Sequence, residues 1–469
     1  MMKYIFLLIL IINAIHSKGQ KVWTLDQCIA YAKENNLQLK QATLSLDLLK
    51  ESIKSNRLER LPNLNGQIGF GVNFGRTVDP TTYQFTTLNV NTSQLGLSSN
   101  INIYNGGRNK LIAKQLQTEM QASNYDVEKT FNDICLSIVS SYLQVLLAQE
   151  QVAIAERYLS LTQKQLQQSQ KLYDAGTIPE SNLVEAEAQI ASAEYTKVIA
   201  LNLVSTAMSN LKLILDLPVT TFFDVVAPTG LDPEQLPILY QANQIYETAI
   251  LSQASIKAQD LRVKSAEQNI AIAKSALYPS LNAYGSMNTN MSSVAKRVKS
   301  ITYSDQTIGY ILDTIPITMP IGNAILERTP FNNQFNDNLN QSLGISFNIP
   351  LFNAGQTRRA IDKARIAYKQ QLLLSQINKQ QLLRDIEQAY ADANAAFKKY
   401  EAAQKKVKAV NKSFGYTQAK AKEGMINNIE YTTMQNNVIQ AESELLQAKY
   451  EYVFKVKILD FYAGRKLQL

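Results

Sequence analysis

Two similar segments decide the fold of this chain of 469 residues: Leu95-Gly-Leu-Ser-Ser-Asn-Ile-Asn-Ile-Tyr-Asn-Gly-Gly107 and, 248 residues further on, Leu343-Gly-Ile-Ser-Phe-Asn-Ile-Pro-Leu-Phe-Asn-Ala-Gly355. In each segment apolar residues alternate with small or uncharged polar residues, which predicts a β-strand. Gly107 and Gly355 then stand directly before a long sequence with helical periodicity. We therefore expect a strand-to-helix junction that occurs twice.

The similarity extends well beyond these segments. Without a gap, the offset of 248 also places Gly176 on Gly424. Upstream, Leu61-Pro-Asn-Leu64 matches Tyr278-Pro-Ser-Leu281 at an offset of 217. The chain is thus an internal duplication. The difference between the two offsets predicts a 31-residue insertion in the second copy, in a loop around residues 288–340.

Each copy is predicted to contain a helix, a β-hairpin and a long helical hairpin. The first helices are expected at residues 25–60, with a break at Asn35-Asn36, and at 242–277. The long helices are expected at residues 108–173 and 357–421. At about 1.5 Å per residue each is a rod of about 100 Å, which is longer than a compact domain can hold.

Apolar or small residues recur along both rods at alternating spacings of four and three, which is typical of coiled-coil packing. The many small residues favour a wall of closely packed helices, although a plain helical bundle has the same pattern. The two seams consist of Ile134, Ile138, Ser141, Val145, Ala148, Val152, Ala155, Leu159, Thr162 and Leu166, and of Leu382, Ile386, Ala389, Ala393, Ala396, Tyr400, Ala403, Val407, Val410 and Phe414.

Four predicted strands have one apolar face and one small or uncharged polar face. This alternation is typical of barrel strands between lipid and water, and also of a half-buried soluble sheet. Four strands cannot close a barrel in lipid, so several copies must associate; the residues allow two, three or four. The apolar positions are Ile68, Phe70, Val72 and Phe74; Leu95, Leu97, Ile101 and Ile103; Leu281, Ala283 and Met287; Leu343, Ile345, Phe347, Ile349 and Leu351.

The first 19 residues have the layout of a secretory signal peptide. Lys3 precedes an apolar run at residues 4–12, and small residues follow up to Gly19, where we expect cleavage. The run is shorter than the about 20 residues of a membrane-spanning helix. We find no other stretch that approaches one, so strands would have to enter any membrane.

Composition argues against catalysis and against nucleic-acid binding. The only histidine, His16, lies in the signal peptide, so the mature chain has no imidazole for a general base or a metal site, and no cofactor motif occurs. Removal of Lys3 and Lys18 leaves 45 basic and 39 acidic residues, spread along the helices without an aromatic and basic patch. Cys28 and Cys135 are interpreted as two buried thiols rather than one disulfide.

Several motifs resemble the TolC-like outer-membrane factor family, over essentially the whole mature chain. They are the opening Thr24-Leu-Asp-Gln-Cys-Ile-Ala-Tyr-Ala-Lys-Glu-Asn-Asn36, the junctions Tyr104-Asn-Gly-Gly107 and Phe352-Asn-Ala-Gly355, and the turns Leu172-Tyr-Asp-Ala-Gly-Thr-Ile178 and Ala421-Lys-Glu-Gly-Met-Ile426. The resemblance implies a homotrimer with a 12-stranded β-barrel in the outer membrane of a Gram-negative bacterium and an α-helical coiled-coil tunnel in the periplasm. In such channels the lower end of the tunnel is closed by the hairpin tips, where a periplasmic adaptor and an inner-membrane transporter dock.

The resemblance also implies roles for residues at the tips. Leu172, Gly176, Ile178, Gly424 and Ile426 are expected to form the adaptor-docking surface. Acidic rings lie just inside the tunnel entrance in family members; the matching positions are Asn182, Glu185, Glu430 and Thr433, and only two of these are acidic. An arginine found near the second tip in some members is absent, because Met425 and Ile426 stand there.

The predicted function is that of a passive exit channel for drugs or other toxic small molecules, with no catalytic, metal or cofactor site. Protein secretion by a type I system is an alternative within the channel class, and metal export is the least favoured. A periplasmic coiled-coil scaffold or adaptor is the alternative in another class.

The predicted segments follow the two copies. They are the signal peptide (1–19), first helix (20–61), first β-hairpin (62–105), first helical hairpin (106–216), linker (217–241), second helix (242–278), second β-hairpin with its long loop (279–352), second helical hairpin (353–463) and tail (464–469). Prolines in the linker break the helices between the copies, and the linker is expected to contribute to a belt around the tunnel.

Overall fold

A computed structural model describes residues 21–78, 83–87, 89–218, 220–227, 233, 240–311 and 314–465. The predicted signal peptide, much of the predicted linker and the end of the predicted tail lie outside the described residues.

Helices dominate the described chain. They are α1 (Leu25–Asn35), α2 (Leu37–Leu58), α3 (Arg108–Asp174), α4 (Glu180–Ile214), α5 (Ala242–Ser252), α6 (Ala254–Ser275), α7 (Phe331–Asp337), α8 (Gln356–Lys422) and α9 (Asn428–Tyr462). The strands are β1 (Lys21–Trp23), β2 (Asn65–Asn73), β3 (Thr77–Val78), β4 (Phe85–Thr86), β5 (Val90–Asn105), β6 (Phe223–Val225), β7 (Ser280–Ser292), β8 (Lys296–Ile311), β9 (Ile315–Arg328) and β10 (Asn340–Asn348).

The helical hairpins repeat without any change in length. Helices α3 and α8 have 67 residues each, α4 and α9 have 35 each, and every boundary recurs at the offset of 248. Every residue of the two predicted seams is buried or half-buried. The predicted duplication, its long rods and their packing faces are thus confirmed.

The first helix of each copy is broken at the same place. Asn36 separates α1 from α2, and its side-chain amide donates to the Ile214 carbonyl over 3.1 Å. Gln253 stands 217 residues later, separates α5 from α6, and donates to the Phe461 carbonyl over 3.3 Å. The first break was predicted, but the continuous helix expected at residues 242–277 was wrong.

The described residues fall into two compact units. One combines the described parts of residues 1–50, 118–265 and 369–469. Its largest core cluster joins Trp23 and Cys28 to residues of α3, α4 and α9. In this unit β1 pairs in parallel with β6, which lies in the predicted linker. The Tyr142 hydroxyl lies 2.6 Å from the Val226 carbonyl oxygen and 3.1 Å from that of Trp23, so it fixes both strands to α3.

Both cysteines are free and buried, as the sequence predicted. Burial raises the pKa of Cys28 to about 12 and that of Cys135 to about 11, because the thiolate loses its hydration.

The other unit, residues 51–117 and 266–368, contains a four-stranded antiparallel sheet. Its strand order is β10-β7-β5-β2, so the two copies meet where β5 pairs with β7. Phe74 lies just beyond β2, and Ile349 and Leu351 lie beyond β10, so the predicted strands were too long at these ends.

The inserted segment has regular structure, although the sequence indicated only a loop. Strands β8 and β9 pair to form an antiparallel two-stranded ribbon, and the short helix α7 follows. We call β8 and β9 together the ribbon.

Among the described helices, α3 alone contains a stretch long and apolar enough to cross a membrane by length and composition, and 56% of that stretch is buried within the protein. The expectation that no stretch after the signal peptide approaches a membrane-spanning helix is corrected in this respect. A core helix passes the same test.

Candidate functional site

The first helical hairpin reverses direction through a Schellman motif at Gly176. The Gly176 N–H donates to the Tyr173 carbonyl over 2.8 Å, and the Thr177 N–H donates to the Leu172 carbonyl over 2.9 Å. Gly176 has a φ of +70°, a left-handed conformation that favours glycine. The Thr177 hydroxyl also donates to the Leu172 carbonyl, over 2.7 Å. The turn therefore pairs carbonyls that the end of α3 would otherwise leave without partners.

The second tip has the same backbone and different side chains. Gly424 has a φ of +70°, and its N–H donates to the Ala421 carbonyl over 3.1 Å. Met425, in place of the threonine, donates only through its backbone, to Lys420 over 2.9 Å. Asn427 caps α9 and accepts from the Glu430 N–H over 2.7 Å. Sequence reasoning did not single out this cap.

The side chains of the predicted docking residues differ in their exposure to solvent. Leu172 is exposed, whereas Ile178 and Ile426 are half-buried at equivalent places. A Cβ built on Gly176 or Gly424 would meet no atom within 4 Å. Each tip is thus an open surface around a glycine with a left-handed backbone, and the side chain of a larger residue there would have space.

The predicted constriction residues lie in the first two turns after each tip. Asn182 and Glu185 belong to α4, and Glu430 and Thr433 belong to α9. Glu185, Glu430 and Thr433 are exposed and Asn182 is half-buried. Pore-facing roles for these residues stay predictions.

A polar cluster that the sequence did not reveal joins the two helical hairpins. The Tyr158 hydroxyl donates to Asn436 Oδ1 over 2.9 Å, and Gln189 Nε2 contacts both the Tyr158 oxygen and, over 3.3 Å, Asn436 Oδ1. Burial raises the pKa of Tyr158, so it stays a neutral donor at physiological pH. The cluster fixes α9 against α3 and α4 in one register.

The predicted junction glycines, Gly107 and Gly355, both adopt left-handed backbones, with φ of +76° and +75°. The residues before them do so as well: Gly106 has a φ of +66° and Ala354 has a φ of +50°. Two successive left-handed residues therefore turn the chain from strand to helix in both copies. The sequence indicated only the second residue of each pair.

The register of the sheet separates its side chains into two faces of different chemistry. Ile68 pairs with Leu95, and Ile345 pairs with Ala283, on one face. The other face is polar and uncharged; it contains the Asn102–Asn282 hydrogen bond of 2.8 Å. Strands β2, β5, β7 and β10 contain no Asp, Glu, Lys or Arg.

The sheet has an unpaired edge on each side. Within the described residues, no strand pairs with the outer edge of β2 or of β10. Their apolar side chains are also uncovered, as the 82% exposure of Phe70 and the 93% exposure of Leu343 show. An uncharged sheet with one apolar face and two open edges is an incomplete structure.

Among the residues that the structure describes, no group of three or more His, Cys, Asp or Glu side chains could hold a metal ion.

Comparisons with known proteins agree with this geometry. The family described as outer membrane efflux protein matches residues 28–216 and 245–465, which correspond closely to the two copies. The chain is 21% identical to the outer membrane protein TolC of Vibrio cholerae, over 94% of this chain and 91% of that protein.

Solved structures show the same fold. The structure of CusC superposes with a TM-score of 0.72 at 17% identity, covering 94% of this chain and 92% of that one. The CmeC outer membrane channel of Campylobacter jejuni superposes with a TM-score of 0.68 at 16% identity, covering 95% and 87%. Members of this family are outer membrane channels and not enzymes. The chain belongs to the outer membrane efflux protein family.

Proposed function

We propose that the chain is one protomer of a homotrimeric exit channel, which conducts drugs and other toxic small molecules passively from a periplasmic adaptor and an inner-membrane transporter to the exterior. The uncharged four-stranded sheet with two open edges carries this proposal. In lipid every backbone donor and acceptor must be paired within the protein, and three such sheets joined edge to edge close a barrel of 12 strands. The apolar face would then contact lipid and the polar face would line the lumen.

The helices of the other unit support assembly of several chains. Leu37 and Leu44 lie seven residues apart on one side of α2 and are 64% and 65% exposed. On α4, Val184, Tyr195 and Val198 lie on one side at helical spacing and are exposed. In a closed ring of helices these apolar faces would pack against a neighbouring protomer.

A first experiment separates the channel from a soluble scaffold. The full chain is expected in the outer-membrane fraction and as an oligomer that dissociates only on heating in SDS. Deletion of the gene is expected to sensitise cells to toxic compounds, while secretion of proteins by type I systems continues. Recovery of the chain in a soluble fraction without detergent would overturn the proposal.

The hairpin tips are proposed as the docking surface for the adaptor, through Leu172, Gly176, Ile178, Gly424 and Ile426. The alternative is that the glycines serve only the turn. Asparagine tolerates the left-handed backbone, so Gly176→Asn and Gly424→Asn keep the turn and add a side chain to the surface. We expect transport to fall sharply while the oligomer forms normally.

The matched control for the tips is Gly415→Asn, on the exposed side of α8 where a Cβ also meets nothing within 4 Å. This variant is expected to transport normally. If both tip variants also transport normally, the glycines only make the turn and docking lies elsewhere.

The entrance of the tunnel is proposed to narrow at Asn182, Glu185, Glu430 and Thr433. Three copies of each glutamate would attract cations to the constriction. Replacing Glu185 and Glu430 with glutamine is expected to lower cation preference in planar-bilayer recordings. An unchanged reversal potential would assign both glutamates to the outer surface of the helices.

A further inference from the structure

The ribbon has two apolar stripes on opposite faces. Pairing with Ala324 and Gly322 places Ile301 and Tyr303 on one face, and a Cβ at Gly322 would lie 2.9 Å from the Ile301 side chain and 3.4 Å from the Tyr303 ring. Alternate residues of β9 point to the other face. We define the first stripe as Val298, Ile301 and Tyr303 and the second stripe as Ile317, Met319 and Ile325; all six side chains are exposed.

The base of the ribbon is held firmly by one buried side chain. Gln334 of α7 accepts from the Ser292 N–H over 2.8 Å. Its amide group donates to the Ser292 carbonyl over 3.0 Å and to the Thr329 carbonyl over 2.9 Å. Above this clamp, no other strand within the described ranges pairs with β8 or β9. An isolated two-stranded hairpin is at best marginally stable in water. We therefore expect a partner to cover the exposed stripes.

Strand addition is disfavoured along β9. Pro316 and Pro320 have no N–H, and proline within a sheet occupies positions whose N–H would point away from the ladder. Two donors are thus missing from the free edge of β9, which blunts that edge against pairing with another strand. The partner is expected to contact the faces of the ribbon.

Two different stripes fit an assembly with rotational symmetry. In a closed ring of identical subunits, each contact is heterologous: one surface of a subunit meets a different surface of the next. One stripe on each face of a single ribbon provides such a pair of surfaces. The ribbon also lies in the connection between β7 and β10, and β10 is an edge strand that would meet the next protomer in the ring.

We infer that the ribbon is an interaction surface for a second copy of this chain, in which the first stripe of one protomer packs against the second stripe of its neighbour. This inference rests on the proposed ring and adds a contact between protomers outside the barrel wall.

Disulfide trapping tests the contact in the full-length chain in native outer membranes. Ile301→Cys and Ile325→Cys are combined, because they lie on opposite faces and cannot bridge within one ribbon without distortion. Oxidation is expected to give a covalent trimer on denaturing gels, and the native thiols are buried and do not interfere. The control combines Thr302→Cys with Ile325→Cys, which places both new thiols on one face and is expected to give no covalent trimer.

The outcomes distinguish the ribbon contact from the ring itself. An oligomer in unheated gels without covalent links in the double variant overturns the ribbon contact and leaves the channel proposal intact. Absence of any oligomer overturns both. Links to a different protein assign the stripes to an external partner and also overturn the contact between copies.

A second measurement does not depend on oxidation. Ile301→Ser with Met319→Ser removes part of each stripe and is expected to lower the temperature at which the oligomer dissociates in SDS. Ser304→Ala, on the same face as the second stripe, leaves all six stripe residues in place and is expected to leave that temperature unchanged. Equal dissociation temperatures for all three proteins would contradict the inference.

Discussion

Replacing Gly106 with alanine is expected to destabilise the strand-to-helix junction more than the same change at Gly107. A Cβ on Gly106 would lie 2.4 Å from the Ser275 carbonyl oxygen and 2.9 Å from the Tyr278 Cβ. Neither atom is the end of a flexible side chain, so the end of α6 would have to move. A Cβ on Gly107 would meet nothing within 4 Å. The two substitutions therefore share backbone strain and differ in the clash.

The two costs can be separated in magnitude. A left-handed backbone costs an L-residue about 1–2 kcal/mol, and this applies at both positions because both φ angles are positive. Overpacking adds about 1–3 kcal/mol at Gly106. Alanine also restricts the unfolded chain, which offsets about 0.4–1 kcal/mol at either position. The expected loss is thus about 0–1.6 kcal/mol for Gly107→Ala and about 1–4.6 kcal/mol for Gly106→Ala.

The second copy provides a control in which backbone strain is removed instead of added. Ala354 stands 248 residues after Gly106 and has a φ of +50°, so the fold accepts strain of this kind there. Ala354→Gly relieves the strain but gives the unfolded chain more freedom, so it is expected to stabilise by at most about 1.6 kcal/mol.

The assay is urea unfolding of the detergent-purified chain, followed by the helical circular-dichroism signal. The expected order of midpoints is Ala354→Gly at or above wild type, then Gly107→Ala, then Gly106→Ala. Equal midpoints for the Gly106 and Gly107 variants would refute the argument from the close approach of Ser275. A clear loss of stability in Ala354→Gly would refute the argument from strain.

Three further predictions concern chemistry elsewhere in the chain. Cys28 and Cys135 should resist maleimide at pH 8 in the folded chain, because burial raises both pKa values, and should react in urea; rapid native labelling would contradict this. The hydrogen bond from Lys455 lowers the pKa of Asp392, so its contribution to stability is present above about pH 4 and is lost as pH falls through the lowered pKa. Urea midpoints of Asp392→Asn should therefore fall less between pH 6 and pH 3 than those of wild type, and equal slopes would exclude this. Gly344→Val should impair assembly on unheated gels, because a Cβ on residue 344 would lie 2.5 Å from the ring of Tyr284. Normal oligomers would show that the Tyr284 ring can move away.

An element could be predicted well from the sequence where both copies of the duplication contain it, because each copy gives separate evidence for the same element. The boundaries of α3 and α8 could be predicted to within a residue or two because both copies place a glycine at the junction and another at the tip. The faces of the four-stranded sheet could be predicted because a period of two holds over most of each strand. The exception is Ile103 in β5, where a register shift between Asn102 and Tyr104 interrupts the alternation.

The ribbon was missed for physical reasons that its residues make plain. The register shifts once between Val298 and Ser300 and once between Thr307 and Gly309. The apolar residues of β8 therefore do not follow a single alternation along the strand. Pro316 and Pro320 make β9 look unlike a strand, since proline interrupts the pattern from which strands are predicted. Only the pairing of the two strands reveals the stripes.

Contacts between distant helices could not be predicted either. The break at Gln253 depends on a hydrogen bond to Phe461, which is 208 residues away, and glutamine is not a residue that ends helices by itself. Likewise, the bond from Tyr158 to Asn436 joins residues 278 positions apart. A single sequence gives the periodicity of each helix but not the axial register between two of them.

The two copies share a backbone plan, yet their environments differ. Gln435 stands 248 residues after Glu187; Glu187 is exposed, whereas Gln435 is 1% exposed and neither of its amide atoms has a hydrogen-bond partner among the described residues. A buried, unpaired amide is costly. The matching stretches of α4 and α9 bury different positions: Leu183 and Ala186 are buried in α4, whereas their equivalents Tyr431 and Met434 are half-buried in α9. In the proposed ring, six hairpins of two kinds would alternate around the axis. Any difference between the two tips in docking or closing would then follow from their side chains and surroundings, because their backbone turns are the same.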